Sequence, residues 1–144
     1  MKNIFPKLIT ALSFAGMLVT AYLIHQHFAP VGTTVCNFNE YLSCDIVNKS
    51  EYSEILGIPV AIPGLLTYVA LFVFGFGLMK GKTWATAHVK KIFAFTILAT
   101  LFSAYLTYIE FFVLFAVCVF CLTQQVIILL ITLLTGLHVW KSKK

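Results

Sequence analysis

Apolar residues dominate four stretches of this chain, and polar residues collect mainly between them. The first stretch runs from Leu8 to about Phe28 and carries no acidic or basic residue other than histidine. The second runs from about Pro59 to Met79. From Ile92 to Trp140 the only Asp, Glu, Lys or Arg is Glu110. A spanning helix needs roughly 20 largely apolar residues to cross about 30 Å of hydrocarbon. The last stretch is therefore too long for one crossing and right for two, with a turn between Glu110 and Val117. The pattern predicts helices over about 8–28, 59–79, 92–111 and 117–139. The expected fold class is all-α: an integral membrane bundle of four transmembrane helices forming one domain over 1–144.

The loop over 29–58 is not plain linker. Cys44-Asp45-Ile46-Val47 and Tyr52-Ser53-Glu54-Ile55-Leu56 mix apolar and polar residues at helical spacing. Asn48 with Glu51 three residues on reads as an N-cap signature between them. One or two short amphipathic helices, capping the bundle from the membrane surface, are expected there.

Composition strengthens the membrane reading. The chain is 60% hydrophobic and 10% charged, with a mean hydropathy of +0.96, whereas a soluble domain carries about a quarter charged residues. The net charge of +5 does not signal nucleic acid, which needs a clustered basic face with stacking aromatics. The lysines sit between apolar runs and report orientation instead. Lys2 and Lys7 precede the first helix, Lys80, Lys82, Lys90 and Lys91 lie between the second and third, and Lys141, Lys143 and Lys144 follow the fourth. These positions share one side, so both termini are expected in the cytoplasm and the 29–58 loop outside it. The first stretch is long and lacks a closely following A-x-A-like site, so it is read as a retained helix rather than a cleaved signal.

All four cysteines fall on the non-cytoplasmic side, where thiols are free to form disulfides. Cys118 and Cys121 form a Cys-x-x-Cys at the start of the fourth helix. Residues three apart share a helix face, and the helix N-terminus favours a thiolate. That is the usual setting of a redox-active dithiol. With Cys36 and Cys44 on the same side, the set suggests two pairs that exchange. Structural zinc is disfavoured, because seven residues separate Cys36 from Cys44 where paired short spacings are wanted. No metal site is expected, and His25 and His27 read as interfacial residues. A non-enzymatic tetraspan scaffold or metal-handling protein whose disulfides merely staple the loop stays open on these grounds.

The chain resembles the vitamin K epoxide reductase (VKOR) family over most of its length. Cys36, Cys44 and Ser50 match the family's loop pattern, followed by Gly64 and Tyr68 early in the second helix. Tyr105-Leu106-Thr107-Tyr108-Ile109-Glu110-Phe111-Phe112-Val113-Leu114 is close to the family's sequence ahead of its Cys-x-x-Cys. DsbB-like oxidases carry the two cysteine patterns in the opposite order. The resemblance implies a quinone-coupled thiol oxidase supporting disulfide formation. In it, a separate thioredoxin-like or DsbA-like partner reduces a Cys36–Cys44 pair, and Cys44 passes electrons to Cys118–Cys121. Cys121 faces a quinone, ubiquinone or menaquinone. Ser50, Tyr52, Tyr68 and Gln125 are the candidate quinone-binding residues.

Two departures bear on the substrate. Val60 replaces an Asn of the animal enzymes, and Gln125 replaces their Tyr. Both favour respiratory quinones over vitamin K epoxide. The expected location is a bacterial cytoplasmic membrane rather than an endoplasmic reticulum. Reduction of quinone or of vitamin K epoxide as the main role is the alternative. Glu110, where the animal enzymes are apolar, is read as solvated near the interface.

Overall fold

The computed structural model describes residues 4–144; Lys2 lies outside the described residues. Five α-helices account for most of them. They are α1 (Ile4–Phe28), α2 (Cys44–Asn48), α3 (Ala61–Met79), α4 (Thr83–Phe112) and α5 (Val119–Ser142). A 3-10 turn at Glu51–Ser53 and a two-residue hairpin, β1 (Glu54–Ile55) with β2 (Ile58–Pro59), lie between α2 and α3. Four helices, all but α2, are long and apolar enough to cross a membrane. The protein is an all-α, four-span membrane bundle.

Helix α4 begins at Thr83, well before the apolar stretch that predicted it. Lys90 and Lys91 therefore lie on the helix, and the link from α3 is only Lys80-Gly81-Lys82. A backbone helix does not stop where hydrocarbon stops, so apolarity marks the span and not the helix end. Gly81 has φ +64, and that turn closes the α3–α4 connection without a Cβ penalty.

Around the bundle, α1 packs against α3 and α5, α5 packs against α4, and α3 meets α4 only sparsely. Large apolar side chains such as Phe14, Leu18, Leu66, Leu98 and Leu133 face outward, as lipid permits. Lipid tails give apolar helices no hydrophobic reason to associate, so close approach and polar contacts must hold them. A Cβ on Gly75 would lie 2.6 Å from Thr10 Oγ1, and one on Gly16 would run into the Tyr68 ring. Both glycines let α1 and α3 touch. On the other side, the Thr132 hydroxyl lies 2.8 Å from that of Thr100 and donates to the Thr96 carbonyl at 3.1 Å, joining α5 to α4.

Three buried clusters stack along the bundle. Phe74, Leu78, Ala85 and Val89 fill the end at the α3–α4 link. Ile9, Tyr68, Leu71, Ile127, Ile128 and Ile131 fill the middle. The far end holds Leu23, Cys36, Cys44, Val47, Ala61, Ala116 and Cys118, so the cysteines form part of the core that caps the bundle.

Candidate functional site

The loop after α1 is tied down at three places. Asp45 is the first. Its Oδ1 accepts the Thr34 hydroxyl at 2.5 Å, and its Oδ2 accepts the Gly32 N–H at 2.7 Å and the Asn37 amide at 2.5 Å. Burial alone would raise this carboxyl. The three hydrogen bonds and the Lys49 ammonium, 3.7 Å away, outweigh it and hold Asp45 below the usual carboxylate range. His27 is the second tie: Nδ1 lies 2.6 Å from the Asn48 carbonyl and Nε2 lies 2.9 Å from Glu54 Oε1. His27 is thus a loop anchor and not a free interfacial group. Asn48 does not cap a helix: it is the last residue of α2, Ser50 precedes the 3-10 turn, and the Asn48 amide donates to the Leu23 carbonyl at 2.9 Å. The N-cap of α2 is Ser43, whose Oγ accepts the Ile46 N–H at 3.4 Å.

The third tie joins the loop to the turn ahead of α5. The Val117 N–H donates to the Tyr41 carbonyl at 2.7 Å, and Leu42 bridges Val117 in strand fashion. This brings the two cysteine-bearing segments side by side. Cys36 and Cys44 are joined in a disulfide with Cα atoms 5.8 Å apart. Cys44 and Cys118 are almost wholly buried in the same cluster, with Cys121 packed against it.

Cys118 is the N-cap of α5, with extended backbone angles, and its sulfur accepts the Cys121 N–H at 3.2 Å. The two sulfurs are 2.6 Å apart and free. Such a pair closes into a disulfide with little movement. Cysteine serves as an N-cap here because its sulfur satisfies one of the helix's unpaired N–H groups.

Beside this pair lies an apolar cavity of about 270 Å³, walled by α1, the loop, α3, α4 and α5. Ser50, Tyr52, Tyr68 and Cys121 line it, as do Glu110 and Gln124. The hydroxyl of Ser50 donates to the Val47 carbonyl at 2.8 Å. Tyr68 donates to the Gln124 carbonyl at 3.1 Å, and the Gln124 amide donates to the Gly16 carbonyl at 3.2 Å. These two bonds link α1, α3 and α5 beside the cavity.

Two expectations need correction. Gln125 does not line the cavity and Gln124 does, because one residue along a helix turns a side chain by about 100°. Cys121, Gln124 and Ile128 form the facing row. Glu110 is not solvated: it is 3% exposed and its Oε2 accepts the Cys118 N–H at 3.0 Å. The turn over 113–118 folds across it, which no pattern of apolar residues announces. Asp45 carried no sequence signal apart from proximity to the cysteines, and Gln124 shared with Gln125 the signal of a polar residue in an apolar run.

Four spanning helices around a buried redox-capable cysteine cluster and an apolar cavity define an integral membrane protein built for thiol chemistry. The sequence model of the vitamin K epoxide reductase family matches residues 7–136, and the chain belongs to that family. It is accordingly a membrane oxidoreductase, a thiol oxidoreductase of the quinone-reducing kind.

The cavity's chemistry fits a quinone. Its walls are mostly apolar with a few convergent polar groups, as small-molecule sites are. The Gln124 amide nitrogen is committed to Gly16, which leaves Oε1 as an acceptor; that atom is buried without a partner. A quinol hydroxyl is a donor of the kind it lacks.

Proposed function

We propose that this protein oxidises the dithiol of a separate thioredoxin-like or DsbA-like partner and passes the electrons to a respiratory quinone. The observation that carries the reading is the shared burial of both cysteine pairs beside the cavity, with Cys121 the cysteine on its wall. A partner thiolate attacks Cys36, and Cys44 leaves as thiolate. Cys44 then attacks Cys118 of a Cys118–Cys121 disulfide, and Cys121 leaves as thiolate. Cys36, once the partner departs as a disulfide, attacks the Cys44–Cys118 bond and restores the outer pair. A bound quinone supplies the two-electron oxidation that closes Cys118–Cys121 again.

The remaining residues orient and enclose. Tyr68, Gln124, Ser50 and Tyr52 shape the polar side of the cavity. The lysine distribution supports placing the cysteine end outside a bacterial cytoplasm.

The test is quinol formation by the full chain given reduced partner and ubiquinone, menaquinone or vitamin K epoxide in parallel. Cys121→Ala is expected to abolish turnover. Turnover that survived Cys121→Ala would remove the relay, and cysteines that stay oxidised in quinone-depleted cells would favour a structural staple instead. Reduction of vitamin K epoxide in preference to the quinones would make epoxide reduction the main role.

A further inference from the structure

Glu110 is an ionisable side chain inside the bundle whose presence the relay does not explain. It is 3% exposed, forms no ion pair among the described residues, and lines the cavity together with Cys121. One oxygen, Oε2, is anchored on the Cys118 N–H at 3.0 Å, which fixes the carboxyl to the backbone of the dithiol. An intramembrane carboxyl is a functional suspect by default. A purely structural acceptor for one N–H needs no ionisable group, since a glutamine oxygen would serve.

Opening and closing the inner disulfide must move protons as well as electrons. We propose that Glu110 is the proton-exchange group of Cys121. It gives a proton to the Cys121 sulfur when the inner disulfide opens, and takes it back when that disulfide closes. This role rests on the relay proposed above. On closing, the two thiols lose two electrons and two protons, and a quinone taking both electrons needs two protons to become quinol. Glu110 keeps the Cys121 proton for the next opening. The Cys118 proton leaves to bulk water, and the quinol draws its two protons from water. The other titratable groups facing this space are Tyr52 from the loop and Tyr68 from α3, while Cys118 lies behind Cys121; no lysine, histidine or second carboxylate lines the cavity. Glu110 is therefore the one carboxyl on the cavity wall beside Cys121.

The test uses the full chain in detergent without quinone. Infrared difference spectra are taken between the inner pair closed by diamide and opened by dithiothreitol. Wild type is expected to lose a protonated-carboxyl band on opening, and Glu110→Gln to lack that change while keeping an acceptor for the Cys118 N–H. Superimposable spectra in the carboxyl region would overturn the proposal. Should Glu110→Gln not fold, Glu110→Asp decides: a shifted band supports the assignment, and an unshifted one assigns the band elsewhere and overturns it. Quinol formation by Glu110→Gln is expected to fall on the order of 100-fold, with Glu110→Asp recovering part. A wild type that shows the band change but reduces no quinone would sink the quinone relay and leave the proton exchange standing.

Discussion

Replacing Asp45 with asparagine keeps the side chain's shape and removes its charge from the knot that holds the outer disulfide loop. Three donors converge on this carboxylate: the Thr34 hydroxyl, the Gly32 N–H and the Asn37 amide. Hydrogen bonds to a charged acceptor contribute about 1.5–3 kcal/mol each, against about 0.5–1.5 for neutral pairs. Losing the charge therefore costs about 1 kcal/mol per bond, or about 3 kcal/mol for the set. If half of that is coupled to loop closure, opening the loop becomes easier by about 1.5 kcal/mol, roughly tenfold in rate. The assay is the rate at which dithiothreitol reduces Cys36–Cys44, followed by maleimide gel shift. Asp45→Asn is expected to react about tenfold faster, and Asp45→Ala faster still, because it strands three donors. The sign of the pH effect follows from the depressed carboxyl. Its stabilisation is complete above the ordinary aspartate value near 4 and fades as pH falls below it through the folded value. Wild-type reduction by a phosphine, whose reactivity is calibrated at each pH on a model disulfide, should thus hold steady from about pH 7 to 5 and rise below about pH 4. Asp45→Asn should show no such rise. Equal reduction rates for wild type and Asp45→Asn would refute the reasoning that this network holds the loop closed.

Three further changes probe the cavity and its surroundings. Gly16→Ala drives a methyl into the Tyr68 ring, so thermal stability should drop by about 1–3 kcal/mol and the KM for quinone should rise; an unchanged melting profile counts against the close α1–α3 contact. Gln124→Leu removes the link from α5 to the Gly16 carbonyl and alters the cavity wall, so quinone KM should rise several-fold, whereas Gln125→Leu should leave it near wild type. The reverse ranking would put the facing row one residue further on. Leu56 sits at φ +54 at the hairpin tip and is 98% exposed, followed by Gly57 at φ +78. Asn-Gly suits two consecutive positive φ values, so Leu56→Asn should stabilise the hairpin by about 1 kcal/mol, read as slower proteolysis of the loop.

The bundle was legible because each crossing leaves a run of about 20 apolar residues, and lipid-facing and core-facing positions look alike in such a run. That same likeness hid which way each helix faces. Gln124 and Gln125 are adjacent, equally polar and equally placed in the apolar run, and only the packing of α5 against α1 and α3 separates them. Glu110 looked interfacial because it ends a hydrophobic stretch; its burial depends on a turn that doubles back over it through the Ala116 N–H to the Glu110 carbonyl. The charged start of α4 was missed since helix and span are different quantities. The four cysteines stood out through type, spacing and family resemblance. The hydrogen bonds of Asp45, by contrast, join residues up to 13 positions apart, and nothing in the order of residues marks such partners.

The strand-like bridge between Leu42 and Val117, with its Val117–Tyr41 hydrogen bond, has a kinetic meaning. Two thiol pairs free to diffuse within a bilayer would meet at a rate set by how many copies share the membrane. In the proposed relay, pairs clamped onto one another through a short backbone contact would react as a single molecule, at an effective concentration far above any the membrane could hold. Transfer between the pairs would then be indifferent to expression level and to lateral crowding. Only the arrival of the partner would remain a second-order event.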